Sequence, residues 1–499
     1  MGLGKTLQAL TIMAHYQDDW PVLIVTPATM RFVWKDQAFQ WMPHILRRSS
    51  DVQVIMNDTQ SIDRKAQMVI ISYDMLARHS KFQSVSARKE FQSVIVDECQ
   101  YIKSSSAKRT KAVLQVCKRA KRAVLISGTP LLNRAEELHS QLLAICPEIE
   151  KEMPYSEYCS RYCTGAGHQL ELNSFLVSTL MVRRLKADVL HQLPQKIRRK
   201  IILEPLHTDV DKIGDVRKLV SFEFGSGDGA LGDEVKTPSV LNIVKQTLKA
   251  TAEAKLQCVA QYVHHVLSVK DKILLFAHHH VMLDSLEEHL KSWNLEYIRI
   301  DGKTPQDSRS DMVSSFQARS STRVALLSIT ACGQGLTLTA ADTVIFAEMY
   351  WVPAQLLQAE DRAHRLGQKN HVDVHYCIAE GTLDEHIFQL LNSKHRETSA
   401  VLDGMEWSQA QPTESPLDSV PETPTQTVTG DSARRDSASV GAPRAASVNQ
   451  ICMETPRTPT LVSFATRSHE SWKKRAADHV GGGPFGARRK QQKILHVTM

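Results

Sequence analysis

The sequence predicts an α/β protein with two lobes, each built on a parallel β-sheet, joined by a mainly helical connector. In two separate stretches, short β-branched runs alternate with segments of helical periodicity, which is typical of parallel strands linked by crossover helices. Between these stretches the strand rhythm stops. After about residue 400 the chain is rich in proline, serine and threonine, which predicts a disordered C-terminal tail.

Each lobe is predicted from a series of apolar runs that end in polar, glycine or proline residues. The first series comprises Val22–Val25, Val69–Ile71, Val94–Val96 and Ala123–Ile126. The second series comprises Ile273–Phe276, Tyr297–Ile300, Val324–Leu327 and Val344–Phe346. We therefore divide the chain into a first lobe at residues 1–147, a connector at 148–250, a second lobe at 251–397 and a tail at 398–499. Within the connector, the glycine-rich residues 224–229 predict an exposed loop.

Composition excludes several classes of protein. The chain has 499 residues, of which 42% are hydrophobic, yet no run approaches the ~20 apolar residues that span a membrane. Its nine cysteines lack paired spacing and no secretory signal opens the chain, so we expect a reducing compartment and no membrane partner. The net charge of +7 permits an anionic partner such as nucleic acid without demanding one.

The opening residues predict a nucleotide phosphate site. Met1–Thr6 match the last six positions of the phosphate-binding pattern G-x-x-x-x-G-K-[ST], and a helical pattern follows. Gly2 and Gly4 would let backbone N–H groups close around phosphate oxygens. Lys5 would reach the β- and γ-phosphates, and Thr6 would hold Mg²⁺. For so short a match, an ordinary glycine-rich helix cap is the alternative.

A pair of carboxylates at the end of a strand supports the nucleotide interpretation. Asp97 and Glu98 directly follow the apolar run Val94–Val96. Asp97 would hold Mg²⁺ and Glu98 would polarise the attacking water. Downstream, Ser127–Pro130 end another strand, where their hydroxyl groups could sense the γ-phosphate. A chance Asp-Glu pair and an ordinary β-turn are the alternatives.

Two arginines far along the chain predict the other half of the site. They lie in the segment Gln358–Gln368, where Gln358 is a candidate nucleotide contact. Arg362 and Arg365 are three residues apart, so a helix would place both guanidinium groups on one face, ready to meet a triphosphate held by the other lobe. The alternative is a solvated helix face.

Taken in order, these segments resemble the SWI/SNF family of helicase-like ATPases in superfamily two. The resemblance covers roughly residues 1–397 and implies two RecA-like lobes with ATP and Mg²⁺ between them. Its motifs I to VI correspond to Met1–Thr6, Thr26–Ala28 (motif Ia), Asp97–Gln100, Ser127–Asn133, Phe276–His279, Ser328–Leu338 and Gln358–Gln368. Finer similarity is to the HepA-related annealing helicases, through Arg183–Leu190, Phe276–His279, Ile300–Gly302 and Phe346–Glu348.

The resemblance implies a motor that grips the DNA backbone without reading sequence and acts on forked or branched duplex at stalled or damaged replication forks. The DNA-binding candidates are Thr26 and Arg31 in the first lobe and Lys303, Thr304 and Thr330 in the second. Replication-fork proteins are possible partners. Two basic clusters, Lys473–Arg475 and Arg488–Lys490, have the spacing of a bipartite nuclear import signal, so we expect a nuclear protein. A solvated basic patch is the alternative.

Two departures from the family pattern matter. The strand and the first loop positions that precede motif I in this family would lie before Met1, so we expect the natural chain to start upstream. Motif II ends in Cys99-Gln100, where the annealing branch usually has Ser-His, so its coupling to motif III is expected to differ. A nucleosome-remodelling ATPase and a truncated, ATPase-dead binding protein are the rival functions. We predict no structural zinc, because Cys159, Cys163 and the histidine triplet at 278–280 lack a full ligand set.

Overall fold

The computed structural model describes residues 2–132, 134–163, 168–205, 238–330, 336–403 and 494–496. Two parallel sheets dominate this part of the chain, and helices cover both faces of each. All eight apolar runs singled out in the sequence form strands, because each is long enough for one strand; seven are buried on both faces, and Tyr297–Ile300, on the edge strand, alternates between buried and half-buried residues. The two-lobed α/β prediction is therefore confirmed.

The sheet of the first lobe carries its strands in the order β2-β3-β1-β4-β5, and all neighbours are parallel. The strands are β1 (Val22–Thr26), β2 (Val52–Val54), β3 (Met68–Ser72), β4 (Ser93–Asp97) and β5 (Arg122–Ile126). The helices are α1 (Lys5–His15), α2 (Arg31–Trp41), α3 (Tyr73–Arg78), α4 (Lys108–Arg119) and α5 (Glu136–Ile145). Since parallel strands end at the same edge, Thr26 and Asp97 meet there.

Alternate residues of β1 supply two cores, one on each face of the sheet. Ile24 packs with Leu10 of α1 and the indole of Trp34 of α2. Val25, pointing the other way, packs in the cluster that contains Val113 of α4. Both cores are built from apolar side chains. Packing on both faces holds the strands in place and so sets the position of the polar residues at their ends.

The connector is helical, as predicted, but it also contributes strands. Its helices are α6 (Ile149–Glu152), α7 (Tyr155–Tyr162), α8 (Gln169–Thr179), α9 (Lys186–Val189) and α10 (Pro238–Ala254), and its strands are β6 (Met181–Val182) and β7 (Lys196–Leu203). The strand β7 forms an edge of the second sheet, so that lobe recruits residues well before 251. Four of its eight residues are basic and seven are half-buried or exposed, a composition suited to an edge strand and easily missed in a search for apolar runs. The glycine-rich residues 224–229 lie outside the described residues.

The sheet of the second lobe has the parallel order β7-β12-β11-β8-β10-β9. Its further strands are β8 (Ile273–Ala277), β9 (Glu296–Ile300), β10 (Thr322–Ser328), β11 (Thr343–Phe346) and β12 (Val372–Ala379). Its helices are α11 (Leu256–Val269), α12 (His280–Ser292), α13 (Gln306–Ala318), α14 (Pro353–Glu360) and α15 (Leu383–Asp403). The rings of Phe276, Phe346 and Tyr376 stack across three adjacent strands.

The last helix differs from the predicted boundary at residue 397. Helix α15 continues to Asp403, and its final turn buries Val401 and Leu402 in a core of the first lobe. Asn173 of α8 donates to the carbonyl of Val401 at 2.9 Å, and Arg183 Nε donates to Asp403 Oδ1 at 2.8 Å. Residues 398–403 are thus ordered by packing against the first lobe and the connector.

A short strand of the predicted tail also joins a sheet. Strand β13 (Ile494–His496) lies between β5 and β6, parallel to both. At these positions the structure differs from the predicted disordered tail, because Ile494 and Leu495 pair with Val124 and Leu125 of β5. The remaining tail residues, including both basic clusters, lie outside the described residues. No helix in the described ranges is long and apolar enough to cross a membrane.

Candidate active site between the lobes

The phosphate loop ends in a helix whose N-terminus has no side-chain cap. Gly2 and Gly4 take left-handed conformations, with φ 77° and 72°, which glycine adopts without steric cost. Helix α1 begins at Lys5, has no acidic residue in its first turn, and makes its first hydrogen bond from Gln8 N to Gly4 O at 3.0 Å. Its leading N–H groups and the positive end of its dipole are suited to an anion such as phosphate.

Lys5 is half-buried and faces two carboxylates. Burial lowers the pKa of Lys5, while the charges of Glu98 and Asp97 act to raise it. Because the ammonium group of Lys5 faces the cleft, the negative charges that it can neutralise are those of groups within the site. This arrangement supports the predicted role of Lys5 toward the phosphates of a nucleotide.

Asp97 is held in one orientation by three donors. Thr26 Oγ1 and Trp34 Nε1 donate to Asp97 Oδ2 at 2.9 and 2.7 Å, and Glu98 N donates to Oδ1 at 3.0 Å. Burial, followed by the neighbouring charge of Glu98, raises the pKa of Asp97 to about 6. A carboxylate with this environment gains from an added cation.

Thr26 was expected to contact DNA, and the structure corrects this. Its side chain is 0% exposed and donates to Asp97, because the last residue of β1 points into the cleft beside the end of β4. Thr26 is therefore part of the support for Asp97 and cannot reach a DNA backbone.

The residues present fit a Mg²⁺ ion that is shared with a nucleotide. Mg²⁺ is usually held by one or two carboxylates together with substrate phosphates and water, not by a full protein cage. Asp97 is oriented and lacks a directly bonded cation, and Thr6 follows Lys5 at the start of α1. Among the described residues there is no group of three or more histidine, cysteine or acidic side chains that could hold a metal.

A series of hydrogen bonds runs from Glu98 in the first lobe to the second lobe. Gln100 Nε2 donates to Glu98 Oε2 at 2.6 Å, and Ser127 Oγ donates to Gln100 Oε1 at 2.6 Å. Thr129 N donates to Ser127 Oγ at 2.9 Å, and Gln358 Nε2 donates to Thr129 Oγ1 at 2.9 Å. Gln358 thus lies against motif III, and Gln100 links motif II to motif III.

Glu98 itself adopts a backbone conformation that is rare for its residue type. Its φ is 51°, in the left-handed region. Such backbone strain occurs at sites where the surrounding structure holds a residue for function. Here Tyr73 donates its hydroxyl to the carbonyl of Asp97, which fixes the chain just before the strained residue.

The two arginines do not lie on a helix, contrary to the sequence prediction. Helix α14 ends at Glu360, and the following residues form turns. Both arginines nevertheless converge, because Arg362 Nη1 and Arg365 Nη1 donate to the carbonyl of Leu336 at 3.3 and 3.1 Å. Arg365 also donates to Thr337 Oγ1 at 2.9 Å. A shared acceptor, not helical periodicity, brings the two guanidinium groups together.

Arg365 is the arginine that lies next to the phosphate loop. Its Cγ is 3.8 Å from the position that a Cβ would occupy on Gly2. Burial lowers the pKa of Arg365, and the charges of Asp361 and Glu98 act to raise it. Arg362 is only 2% exposed, within the second lobe. The structure therefore brings Lys5, Glu98 and Arg365 to one cleft.

The sequence patterns did not single out a second acidic pair, Glu360 and Asp361. This pair anchors residues 361–366, which contain both arginines and are called the arginine segment below. Arg198 donates to Glu360 from Nε at 2.9 Å and from Nη2 at 2.8 Å, and Lys196 Nζ lies 2.7 Å from Glu360 Oε2. Tyr376 also donates its hydroxyl to Glu360. Although burial acts to raise it, the pKa of Glu360 is lowered to about 2 by Arg198 and Lys196. These partners come from β7 and β12, whose pairing no local pattern encodes.

The remaining DNA-binding candidates are distributed over both lobes. Arg31 is half-buried and donates to the carbonyls of Ala28 and Ile55, so its guanidinium group is already engaged. Lys303 and Thr330 are exposed, and Thr304 Oγ1 accepts from Asp301 N at 3.0 Å. Their contact with DNA stays a prediction.

Two domain models match the chain. The SNF2-related domain matches residues 1–213, and the helicase conserved C-terminal domain matches residues 254–367. Among solved structures, the chain is similar to the Sulfolobus solfataricus SWI2/SNF2 ATPase core in complex with double-stranded DNA. That likeness has 25% identity, covers 81% of this chain and 87% of the other, and has a TM-score of 0.37.

Curated relatives share the same part of the chain. The Bos taurus protein "DNA annealing helicase and endonuclease ZRANB3" is 39% identical over 425 residues, which is 81% of this chain and 38% of the relative. The Xenopus tropicalis "SWI/SNF-related matrix-associated actin-dependent regulator of chromatin subfamily A-like protein 1" is 37% identical over 407 residues, covering 79% and 41%. The chain thus spans about two fifths of the length of these relatives. With both domain models matched in the expected order, the chain belongs to the SWI/SNF family of helicase-like ATPases.

Proposed function

We propose that this chain is an ATP-driven, DNA-dependent motor of the annealing-helicase type, acting at stalled or damaged replication forks in the nucleus. The observation that carries the proposal is the meeting of Lys5, Glu98 and Arg365 in one cleft between two lobes. A catalytic site split between lobes couples nucleotide hydrolysis to movement of one lobe against the other. The Bos taurus relative, whose name is that of a DNA annealing helicase, supports the finer assignment.

The chemistry proposed is attack of water on the γ-phosphate of ATP. The uncapped start of α1 and Lys5 would bind the phosphate oxygens, and Glu98 would orient the attacking water and accept its proton. Mg²⁺, when held by Asp97 and Thr6, supplies neutralisation of phosphate charge. Arg365, and Arg362 if the cleft closes further, would stabilise the negative charge that develops during phosphoryl transfer.

The hydrogen bonds from Glu98 to Gln358 suggest how DNA controls hydrolysis. Any shift of the second lobe that moves Gln358 also moves Thr129, and the effect passes through Ser127 and Gln100 to the carboxylate that orients water. Gln100 can donate and accept at once, so it serves in this position where the branch usually has histidine. DNA held by both lobes would favour one arrangement of this series.

The substrate proposed is duplex DNA, gripped through its backbone irrespective of sequence. Exposed Lys303 and Thr330, with Thr304 beside the first of them, are the proposed contacts in the second lobe, and Arg31 in the first. Contacts of this kind release counterions, so binding should weaken as salt concentration rises. Replication-fork proteins are proposed as further partners, because a motor that acts at forks would meet them there.

The deciding experiment measures ATP hydrolysis with and without forked DNA and with linear duplex. The proposal expects hydrolysis to rise with DNA and more with the fork, and Lys5→Ala to abolish that rise. Strand-annealing activity is then followed on a partly unwound plasmid coated with single-strand-binding protein.

Each rival function gives a different result in these assays. If DNA stimulates no hydrolysis while the chain still binds DNA, it is an ATPase-dead binding protein. If nucleosomes stimulate it more than forked DNA does, a nucleosome-remodelling ATPase is the better assignment. Hydrolysis without rewinding would leave the motor in place and remove the annealing function.

A further inference from the structure

We propose that Lys186, in the connector, is a positioning residue that holds the arginine segment of the second lobe against the phosphate loop. The inference rests on the proposed ATPase function and assigns a task to a residue outside the cleft. Lys186 Nζ donates to the carbonyl oxygen of His364 at 2.8 Å and lies 2.9 Å from Asp361 Oδ2. His364 directly precedes Arg365 in the chain.

The arginine segment needs such a contact because its backbone is not held by a helix. Helix α14 ends at Glu360, and residues 361–366 form turns and bends. In a helix, the carbonyl of His364 would be restrained by the ladder of backbone hydrogen bonds. Here that carbonyl accepts from the ammonium group of Lys186 instead. A charge-assisted hydrogen bond is suited to fixing a single peptide unit.

Other connector residues hold the same segment from the same side. His364 Nε2 lies 2.7 Å from the carbonyl oxygen of Pro194, and Lys196 Nζ lies 3.2 Å from Asp361 Oδ1. Lys186 and Lys196 thus share the carboxylate of Asp361, one on each oxygen. Of these contacts, only that of Lys186 joins both the acidic side chain and the peptide unit before Arg365.

On the side away from the connector, the arginine segment contacts its own lobe and the phosphate loop. Arg365 donates to Thr337 and Leu336 within its own lobe, and its aliphatic part approaches Gly2 of the phosphate loop. A small displacement of the His364 carbonyl would therefore move the Arg365 guanidinium group relative to the γ-phosphate position. Misplacement of a catalytic group by about 1 Å can reduce a rate on the order of 100-fold.

Open space beside Lys186 leaves the polar contacts as the main restraint on the side of the segment that faces the connector. A cavity of about 460 Å³ lies between motif III and the arginine segment, and Thr129, Lys186, Gln358, Asp361 and His364 are among its lining residues. Since the segment borders a cavity here, tight packing cannot substitute for the lost lysine. The side chain of Lys186 is 15% exposed, so its ion pair is largely shielded from solvent.

The test compares Lys186→Met, Lys186→Arg and the control Arg184→Met in the full chain. Arg184 is an exposed cation two residues away, so its replacement changes charge equally without touching the segment. With saturating forked DNA, we expect Lys186→Met to lower kcat about tenfold with KM for ATP within about twofold of the unmodified chain. Lys186→Arg should recover at least half of kcat, and Arg184→Met should leave it unchanged.

Hydrogen exchange gives a second readout that does not require hydrolysis. Amides in the peptide spanning 361–368 should exchange at least about fivefold faster in Lys186→Met than in Arg184→Met, with amides of β8 unchanged. A Lys186→Met protein with unaltered kcat, or with unaltered exchange in this peptide, would overturn the inference. If the unmodified chain hydrolyses no ATP with DNA, the proposed function fails, while the exchange experiment still decides whether Lys186 holds the segment.

Discussion

Two pairs of adjacent carboxylates, Asp97 with Glu98 and Glu360 with Asp361, are both buried or half-buried near the cleft, yet their surroundings are opposite. The pKa of Asp97 is raised to about 6, because burial and Glu98 outweigh its hydrogen bonds and Lys5. The pKa of Glu360 is lowered to about 2, because Arg198 and Lys196 outweigh burial. The first pair has negative charge still to be neutralised, and the second is already neutralised by the protein.

This difference separates Asp97, whose surroundings suit catalysis, from Glu360, which anchors the arginine segment through ion pairs. Asp97 receives three neutral hydrogen-bond donors, which orient it while leaving its charge available to a cation. Glu360 receives two cations and a phenol, which leave it no capacity for a ligand. Activity should therefore be sensitive to changes near Asp97 and Glu98, and folding to the loss of the partners of Glu360.

The largest effect is expected from Arg198→Met, which removes the bidentate partner of Glu360. Leaving a buried carboxylate without its partner typically costs about 3–5 kcal/mol of stability. Chemical denaturation followed by tryptophan fluorescence would measure the loss. The control is Arg119→Met, since its pair with Glu90 is 40% and 39% exposed; such surface pairs contribute less than about 1 kcal/mol. Equal losses in the two variants would contradict the anchor assignment.

Lys5→Ala should have the opposite effect to Arg198→Met: ATP hydrolysis should be lost, while the protein should stay folded. Removing one preorganised charge from a phosphoryl-transfer site lowers kcat about 100-fold or more, which is about 2.7 kcal/mol. Burial already lowers the pKa of Lys5, so the apo fold should lose no more than about 1 kcal/mol. DNA-stimulated hydrolysis and melting temperature would be measured together, with exposed Lys111→Ala as control. If Lys5→Ala unfolds, Lys5 is required for stability in the way that Arg198 is, which would contradict this prediction.

A smaller effect is expected from Gln100→Ala, which interrupts the hydrogen bonds between Glu98 and Ser127. We expect kcat to fall about tenfold and KM for ATP to be nearly unchanged, as for loss of one orienting hydrogen bond. Combining it with Gln358→Ala tests the series, because linked residues are non-additive. Fully additive effects on kcat would show that the two glutamines act separately. Exposed Gln40→Ala is the control.

The anchor should also show a pH dependence at the acid extreme. Because the pKa of Glu360 is lowered from 4.5 to about 2, its ion pairs stabilise the fold fully above pH 4.5 and are lost as pH falls toward 2. The difference in unfolding free energy between the unmodified chain and Arg198→Met should therefore shrink over that interval. A difference that stays constant down to pH 2 would mean that Glu360 is not the titrating partner.

The sequence alone determined the elements whose pattern is local. Eight strands are readable because each is a short apolar run, and seven of these runs are buried on both faces. The phosphate loop with Asp97 and Glu98 follows from residue types at fixed spacing. The arginine pair was found in the same way. Its predicted helix was wrong, because helical spacing in the sequence does not show that α14 ends at Glu360.

Only the tertiary structure decided which partners each of these groups receives. Thr26 supports Asp97, not DNA, because β1 and β4 end side by side. Arg198 reaches Glu360 because β7, a basic edge strand without an apolar pattern, pairs along β12. These partners, 71 and 162 residues apart, are brought together by sheet register and by the packing of one lobe on the connector. A local pattern can therefore name the catalytic groups but not the neighbours that set their charge and position.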